Sequence, residues 1–187
     1  MKVRLLAVVA LVAGQLFAQN NDTRSARVLL QSGTYALSQA DPTQVRAQTA
    51  KGRQLGVMAF SRPLTDLEWA TWSTLGAVNH GYLPLNAYLV EFLAPAAWDH
   101  LGTMPFAAGS PLLPEMKLSS QLAGGVFPDY AWVGADVELL VVPLATASRE
   151  TVVRDLNRIG RVVGTSPLGI QVVVKPGNLG RVTALTD

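Results

Sequence analysis

The hydrophobic pattern of residues 64–101 predicts two helices that flank two strands. Thr65 and Glu68 have the spacing of a capping box, in which two side chains satisfy backbone N–H groups at the start of a helix. Gly76 is the residue type that ends a helix, because glycine adopts a left-handed backbone without strain. The predicted elements are a helix over 65–75, strands over 78–82 and 87–92, a turn over 84–86 and a short helix over 96–101.

The same order of elements returns in the second half of the chain. Leu-Gly-Ala-Val at 75–78 matches Ile-Gly-Arg-Val at 159–162, and Pro-Leu at 84–85 matches Pro-Leu at 167–168. The matching elements are a helix over 149–159, strands over 162–165 and 170–174, a turn over 166–169 and a short helix over 177–185. This shared order indicates two copies of one small unit.

Each copy also has a strand ahead of its first helix. Residues 54–60 supply it in the first copy, and the nearly continuous apolar run 137–142 supplies it in the second, where Ser148 is expected to cap the next helix. Residues 103–109 indicate a closing strand weakly, since Pro105 interrupts them. The prediction is an α+β chain of two ferredoxin-like units with antiparallel sheets, each covered by helices on one face, the second unit lacking its last strand.

The predicted organisation has five parts. They are a signal peptide over 1–18, an N-terminal strand and linker over 19–53, a first unit over 54–118, a linker loop over 119–135 and a second unit over 136–187. Within the N-terminal part, residues 26–31 are predicted to form a strand that Ser32 and Gly33 turn, and residues 39–53 a linker or loose helix.

The second unit has no residues for a closing strand, because the sequence reaches Asp187 directly after its second short helix. The apolar strand 137–142 would then have an unpaired edge, and such an edge recruits other strands. The sequence therefore predicts that the native chain continues beyond Asp187, or that another segment covers this edge. Residues 26–31 are the candidate cover within the chain.

The N-terminus has the pattern of a secretory signal peptide. Lys2 and Arg4 precede a short apolar run over 5–13, and Ala18 is the expected cleavage site. The run is too short to span a membrane. The chain has no cysteine, which argues against a lipid anchor and excludes a disulfide framework. We therefore expect a secreted protein, extracellular or periplasmic, whose stability comes from packing.

Charge argues against nucleic acid and membrane surfaces as partners. The whole chain has 15 Lys and Arg against 13 Asp and Glu, and removing the signal peptide takes away Lys2 and Arg4 but no acidic residue. The mature chain is then balanced at 13 against 13, with a net charge of zero. Neither phosphate backbones nor anionic lipids gain electrostatically from such a surface, so no nucleic acid and no membrane partner is expected after signal cleavage.

Candidate catalytic and metal-binding residues are scarce. No second histidine, cysteine or carboxylate stands at ligand spacing around His80 or His100, and Asp99 points away from its neighbour His100 on a helix. Gly-Thr-Ser at 164–166 resembles the surroundings of a subtilase nucleophile, but no nucleophile-bearing helix follows Ser166 and the chain offers no base for a triad. We expect no catalytic residue, no cofactor and no metal site in this chain.

Two helix faces allow two interpretations. Trp69 and Trp72 share a face of the first helix, which is either part of the core or a contact surface, where tryptophan is enriched. In the second unit, the predicted buried stripe consists of Val152, Val153, Leu156 and Ile159. Arg154, Arg158 and Arg161 lie on another face, which is either solvated or in contact with a partner.

Short motifs carry a family resemblance. They are Glu-Trp at 68–69, Leu-Gly-Ala-Val at 75–78, Gly-Tyr-Leu-Pro at 81–84 and Asn-Ala-Tyr-Leu-Val at 86–90, with flanks Val-Leu-Leu-Gln-Ser-Gly at 28–33 and Pro-Glu-Met-Lys-Leu at 114–118. This region resembles the N-terminal prodomains of secreted subtilisin-like serine proteases (subtilases). In that family the prodomain is a ferredoxin-like module that assists folding of the protease and then occupies its active-site cleft as an inhibitor.

The resemblance implies a subtilisin-like protease domain as the partner, in cis or in trans, because this chain carries none of that domain. Contact is expected from the outer face of a sheet and from extended segments at 109–114 and 185–187. The alternative is a secreted, non-enzymatic interaction or assembly module that uses the aromatic loop 126–133. The candidate contact residues are Ser110, Pro111, Leu112, Leu113, Tyr130 and Trp132.

Overall fold

The computed structural model describes residues 26–37, 39–49 and 54–185, so the expected signal peptide lies outside the described residues. The chain is an α+β protein with antiparallel sheets, as the sequence predicts. The strands are β1 Ala26–Leu30, β2 Gly33–Leu37, β3 Leu55–Phe60, β4 Ala77–Leu83, β5 Ala87–Phe92, β6 Phe106–Pro111, β7 Trp132–Val133, β8 Asp136–Val141, β9 Arg161–Ser166 and β10 Gly169–Val174. The α-helices are α1 Pro42–Thr49, α2 Asp66–Thr74, α3 Pro95–Leu101, α4 Ser120–Ala123, α5 Arg149–Leu156 and α6 Leu179–Thr183.

The two four-stranded sheets have corresponding strand orders. The first is β4-β5-β3-β6 and the second, from the opposite edge, is β9-β10-β8-β7. In the first sheet β3, which precedes α2, lies beside β5, and β4, which follows α2, lies at an edge. In the second sheet β8, which precedes α5, lies beside β10, and β9, which follows α5, lies at an edge. β7 therefore takes the position that β6 has in the first sheet, although it precedes β8 in the chain.

The prediction that residues 26–31 cover the edge of β8 was wrong. β1, which begins in the predicted strand 26–31, pairs with β2 in a separate two-stranded sheet and not with β8. β1 pairs with β2, the next segment of the chain, to form a β-hairpin. Gly33, the first residue of β2, has a φ of 146°, which glycine adopts without strain. The segment beside β8 is instead β7, which lies within the predicted linker loop 119–135.

Local capping signals place α2 as predicted. The backbone N–H of Glu68 donates to the Thr65 hydroxyl, and a Glu68 carboxylate oxygen accepts from the Thr65 backbone N–H at 2.8 Å. These are the two hydrogen bonds of a capping box. The helix ends before Gly76, whose φ of 100° lies in the left-handed region that glycine tolerates.

The tryptophan face of α2 belongs to the core. Trp72 is 0% exposed, and its indole N–H donates to the Ala97 carbonyl of α3 at 2.7 Å. Trp69 packs against the same cluster and lies partly buried. The other members of this helix-side core include Phe60, Tyr88, Phe92, Trp98 and Leu101. The core interpretation of this face is therefore confirmed.

The opposite face of the first sheet is also covered. Val28 and Leu37 of the β1–β2 hairpin pack with Val57 and Ala59 of β3 and with Ala87 of β5. All six residues of β3 are consequently buried, which explains why its sequence shows no clear inward-facing side. The hairpin makes this first unit three layers thick: helices, sheet and hairpin.

The second unit follows its predicted pattern more closely. Val152 and Leu156 of α5 are buried against β8 and β10, while Val153 and Ile159 pack at the margin of the same cluster. Ser148 caps α5 by accepting a hydrogen bond from the Thr151 backbone N–H. Of the three arginines predicted for the other face, only Arg154 lies in α5, because the helix ends at Leu156 and Arg161 begins β9. Arg154, Arg158 and Arg161 are all exposed.

Candidate functional site

A buried histidine–carboxylate pair in the first sheet accepts a contact from the second unit. Nε2 of His80 in β4 is 2.9 Å from Oε2 of Glu91 in β5, and their side chains are only 4% and 2% exposed. The hydroxyl of Thr146, in the loop between β8 and α5 of the second unit, donates to the same carboxylate oxygen at 2.6 Å. One oxygen of Glu91 therefore joins two strands of the first unit to a loop of the second.

This cluster is not apparent from the sequence because its members are distant along the chain. His80 and Glu91 are 11 residues apart and meet only through the antiparallel pairing of β4 with β5. An irregularity in that pairing between Asn79 and Gly81 also shifts the register at His80. No carboxylate stands at ligand spacing around His80 in the sequence, and the pairing of β4 with β5 brings Glu91 to it. Counting residues back from the turn places Val90 opposite His80, so the sequence alone does not point to Glu91.

The arrangement of this cluster does not fit nucleophilic catalysis. A hydroxyl nucleophile needs to donate to the imidazole that takes its proton, with the carboxylate on the far side of the ring. Here Thr146 donates to the carboxylate instead, so Glu91 stands between the hydroxyl and His80. The three side chains form a structural contact between units. Among the described residues, no group of three His, Cys, Asp or Glu side chains could hold a metal ion.

Ser166 and His100 lie in unrelated environments. The Ser166 hydroxyl is 3.4 Å from the Gly169 carbonyl across the β9–β10 turn, and its own carbonyl accepts from Arg149. Nδ1 of His100 is 3.2 Å from the Thr103 hydroxyl. Ser166 and His100 do not form a hydrogen bond with each other.

Four of the predicted contact residues lie at the end of the first sheet. Ser110 and Pro111 form the last part of β6, opposite Val57 and Gly56 of β3. The Leu112 backbone N–H donates to the Leu55 carbonyl, which extends this pairing by one residue. Leu112 and Leu113 are partly buried against the hairpin-side cluster. The segment therefore contributes main-chain and side-chain contacts to its own unit.

The other two predicted contact residues are exposed. Tyr130 is 72% exposed and Trp132, in β7, is 43% exposed. The Phe127 ring packs edge-on against Trp132 at 5.7 Å between centroids, and Phe127 also contacts the core of the second unit. Val126 and Val133 of the same loop are exposed as well. The loop is thus held from one side and presents aromatic and aliphatic groups outward.

The β7 strand beside this loop covers only part of β8. Trp132 pairs with Val137, and Val133 pairs with Asp136. No strand formed by the described residues pairs with Leu139, Leu140 or Val141 on the side opposite β10. In the first sheet, by contrast, β6 pairs with β3 from residue 56 to residue 60.

Two side chains that hold segments of the chain together, Glu68 and Lys117, have lowered pKa values. The hydrogen bond from Arg62 lowers the pKa of Glu68 to about 2, and the Thr65 backbone N–H acts in the same direction. Partial burial lowers the pKa of Lys117, whose ammonium donates to the Leu185 carbonyl at 2.7 Å. This second contact links the segment after the first unit to the end of α6.

No helix among the described residues is long and apolar enough to cross a membrane. Comparison of the chain with protein-family models, with curated proteins and with solved structures finds no match.

Proposed function

We propose that this chain is the prodomain-like region of a secreted subtilisin-like serine protease. In this role it assists folding of a protease domain, in cis or in trans, and then inhibits that domain by binding in its active-site cleft. Both units are proposed to be ferredoxin-like modules, of which the second has β7 in place of a full closing strand.

The observation that carries the proposal is the shared strand order of the two units. In each, helices pack on one face of an antiparallel sheet whose central pair consists of the first and third strands, β3 with β5 and β8 with β10. This strand order supports a split β-α-β unit, the module that the resemblance to subtilase prodomains implies.

The motifs that carry the resemblance contain residues that the fold requires at turns and in the core. Gly76 adopts a left-handed backbone after α2, and Asn86 does so in the β4–β5 turn, with φ of 56°. Tyr88 and Val90 fill the helix-side core. The residues that match the family are therefore fold-determining ones, which supports a common module more strongly than a common contact surface.

An inhibition assay tests the proposal. Residues 19–187 are purified and added to a subtilisin-like endopeptidase that cleaves a fluorogenic peptide, with a chymotrypsin-like serine protease as the control enzyme. We expect inhibition of the first enzyme only. The Trp72→Ala variant, which is expected to be strongly destabilised, should be digested as a substrate and inhibit much less, because an inhibitor must keep its folded shape in the cleft.

A refolding assay tests the other half of the proposal. A denatured subtilisin-like protease domain is diluted from guanidinium with and without the chain, and recovered activity is measured after the chain has been digested. We expect a higher yield with the folded chain and none with Trp72→Ala. The absence of both inhibition and refolding assistance would contradict the proposal.

The alternative, a secreted interaction or assembly module without a protease partner, is favoured by the exposed loop that carries Tyr130 and Trp132. In that case the double variant Tyr130→Ser, Trp132→Ser should abolish partner binding while the chain has no effect on any protease. A double variant that still inhibits the protease, with an unchanged inhibition constant, would exclude the loop from the prodomain role.

A further inference from the structure

We propose that β8 binds an extended segment of a partner polypeptide as an added antiparallel strand, along Leu139–Val141 on the side opposite β10. This inference does not depend on the protease role. It concerns an edge of the second sheet, whereas Ser110 and Pro111 of the segment 109–114 pair within the first sheet.

The first unit provides the template for the bound strand. There β6 lies antiparallel to β3 over residues 56–60, in the position that β7 occupies beside β8. β7 pairs with only two residues of β8, Asp136 and Val137. A strand in line with β7 would extend the pairing along β8 to about the length over which β6 pairs with β3. Main-chain hydrogen bonds drive this mode of peptide binding, and side-chain pockets add selectivity.

The template also indicates which side chains the bound segment should carry. Phe106 of β6 faces the helix-side core, with its ring centroid 6.2 Å from that of Phe60, while Ala108 faces the hairpin side. Along β8, Leu139 and Val141 belong to the helix-side core of the second unit. A bound strand with apolar residues at alternate positions would extend that core, because side chains alternate between the faces of a sheet.

The surroundings of the edge add selectivity. Val142 directly follows β8 and is 60% exposed, and Trp132 and Val133 of β7 are exposed at the other end. Asp136 and Asp129 lie at the β7 end, and neither forms an ion pair with a described residue. Since the added strand runs antiparallel to β8, its C-terminal end lies toward Asp136. A basic residue at that end is therefore complementary.

Peptide binding tests the inference. The probe is the fluorescein-labelled peptide Thr-Val-Thr-Val-Thr-Lys, added to purified residues 19–187 and followed by anisotropy. One control peptide carries N-methyl groups on alternate amides, which removes main-chain donors without changing side chains. A second control ends in Glu instead of Lys. We expect about tenfold weaker binding of each control, which is about 1.4 kcal/mol.

Hydrogen exchange then locates the site. Saturating probe should protect those amides of Leu139–Val141 that do not bond to β10, while the central strands β3 and β10 remain as protected as before. The Asp136→Asn variant should reduce the preference for Lys over Glu and should leave the effect of N-methylation unchanged. Equal binding of the methylated and unmethylated peptides, or protection at β4 or β9 instead, would overturn the inference. A chain that dimerises through Leu139–Val141 without any peptide would also overturn it, because a second copy would then be the occupant.

Discussion

The hydroxyl of Thr146 in the second unit donates a 2.6 Å hydrogen bond to the carboxylate of Glu91 in the first. Glu91 is 1% exposed whereas Thr146 is exposed, so the bond runs from an exposed loop to a buried carboxylate. The contact ties the loop before α5 to the face of the first sheet that the N-terminal hairpin also covers. This bond and the one from Lys117 to the Leu185 carbonyl both connect the two units.

Replacing Thr146 with valine should destabilise the chain. The substitution keeps the shape of the side chain but removes a donor to a buried carboxylate, and hydrogen bonds to charged groups contribute about 1.5–3 kcal/mol. Urea unfolding should show a lower free energy of unfolding by about that amount. Thr165→Val, on the exposed end of β9, is the matched control and should change stability little. Equal effects of the two variants would remove Thr146 from this role.

The tryptophans should differ sharply in their contributions to stability. Trp72→Ala empties a site that is 0% exposed and removes an indole donor from the Ala97 carbonyl, so a loss of about 3–5 kcal/mol is expected. Trp132→Ala removes a side chain that is 43% exposed and should cost much less. Thermal unfolding of both variants measures the contrast. A larger loss for Trp132 would mean that the loop is part of the core.

Gly76→Ala should destabilise α2 at its C-terminal end. The backbone φ of 100° is strained for any other residue, and an added Cβ would lie 2.9 Å from the Cβ of Ala94. We expect a loss of at least about 1–2 kcal/mol in urea unfolding, the cost of a left-handed backbone. Gly177→Ala is the matched control, since an added Cβ there has no atom within 4 Å. Similar losses at both sites would contradict the strain argument.

Acid should weaken the start of α2. The folded pKa of Glu68, about 2, lies below its ordinary value of 4.5 because Arg62 donates to the carboxylate. The stabilising effect of this contact is therefore present above pH 4.5 and is lost as the pH falls toward 2. Titration of the Glu68 carboxyl carbon by NMR should give the lowered pKa, and Arg62→Ala should raise it. In unfolding measurements, the difference between the wild type and Glu68→Gln should shrink over the same pH range.

Elements that depend on local signals were predictable from the sequence. The capping box at Thr65 and Glu68 and the glycine stop at Gly76 need only neighbouring residues, and the structure confirms α2 and its start. Ser148 and the buried positions of α5 follow for the same reason. In both units the pattern also placed the hairpin strands correctly.

Elements that depend on distant partners were not predictable. β7 is two residues long and is defined only by its pairing with β8. β2 carries a single buried residue, Leu37, so its sequence lacks the alternation of a half-buried strand. The cluster around Glu91 forms only once β4, β5 and the second unit are in place. Such contacts leave no periodic signal in the residues that make them.

The hairpin over the first sheet also sets an order for folding. Tyr35 donates to the Glu115 carbonyl across a separation of 80 residues, and Val28 shares a cluster with Met116. The hairpin thus leaves the ribosome long before the surface that buries it exists. Contacts this far apart close slowly, because chain entropy must be overcome first. The first unit can complete its packing only after residue 116 has emerged, so the early hairpin stays exposed to other strands and to chaperones during synthesis.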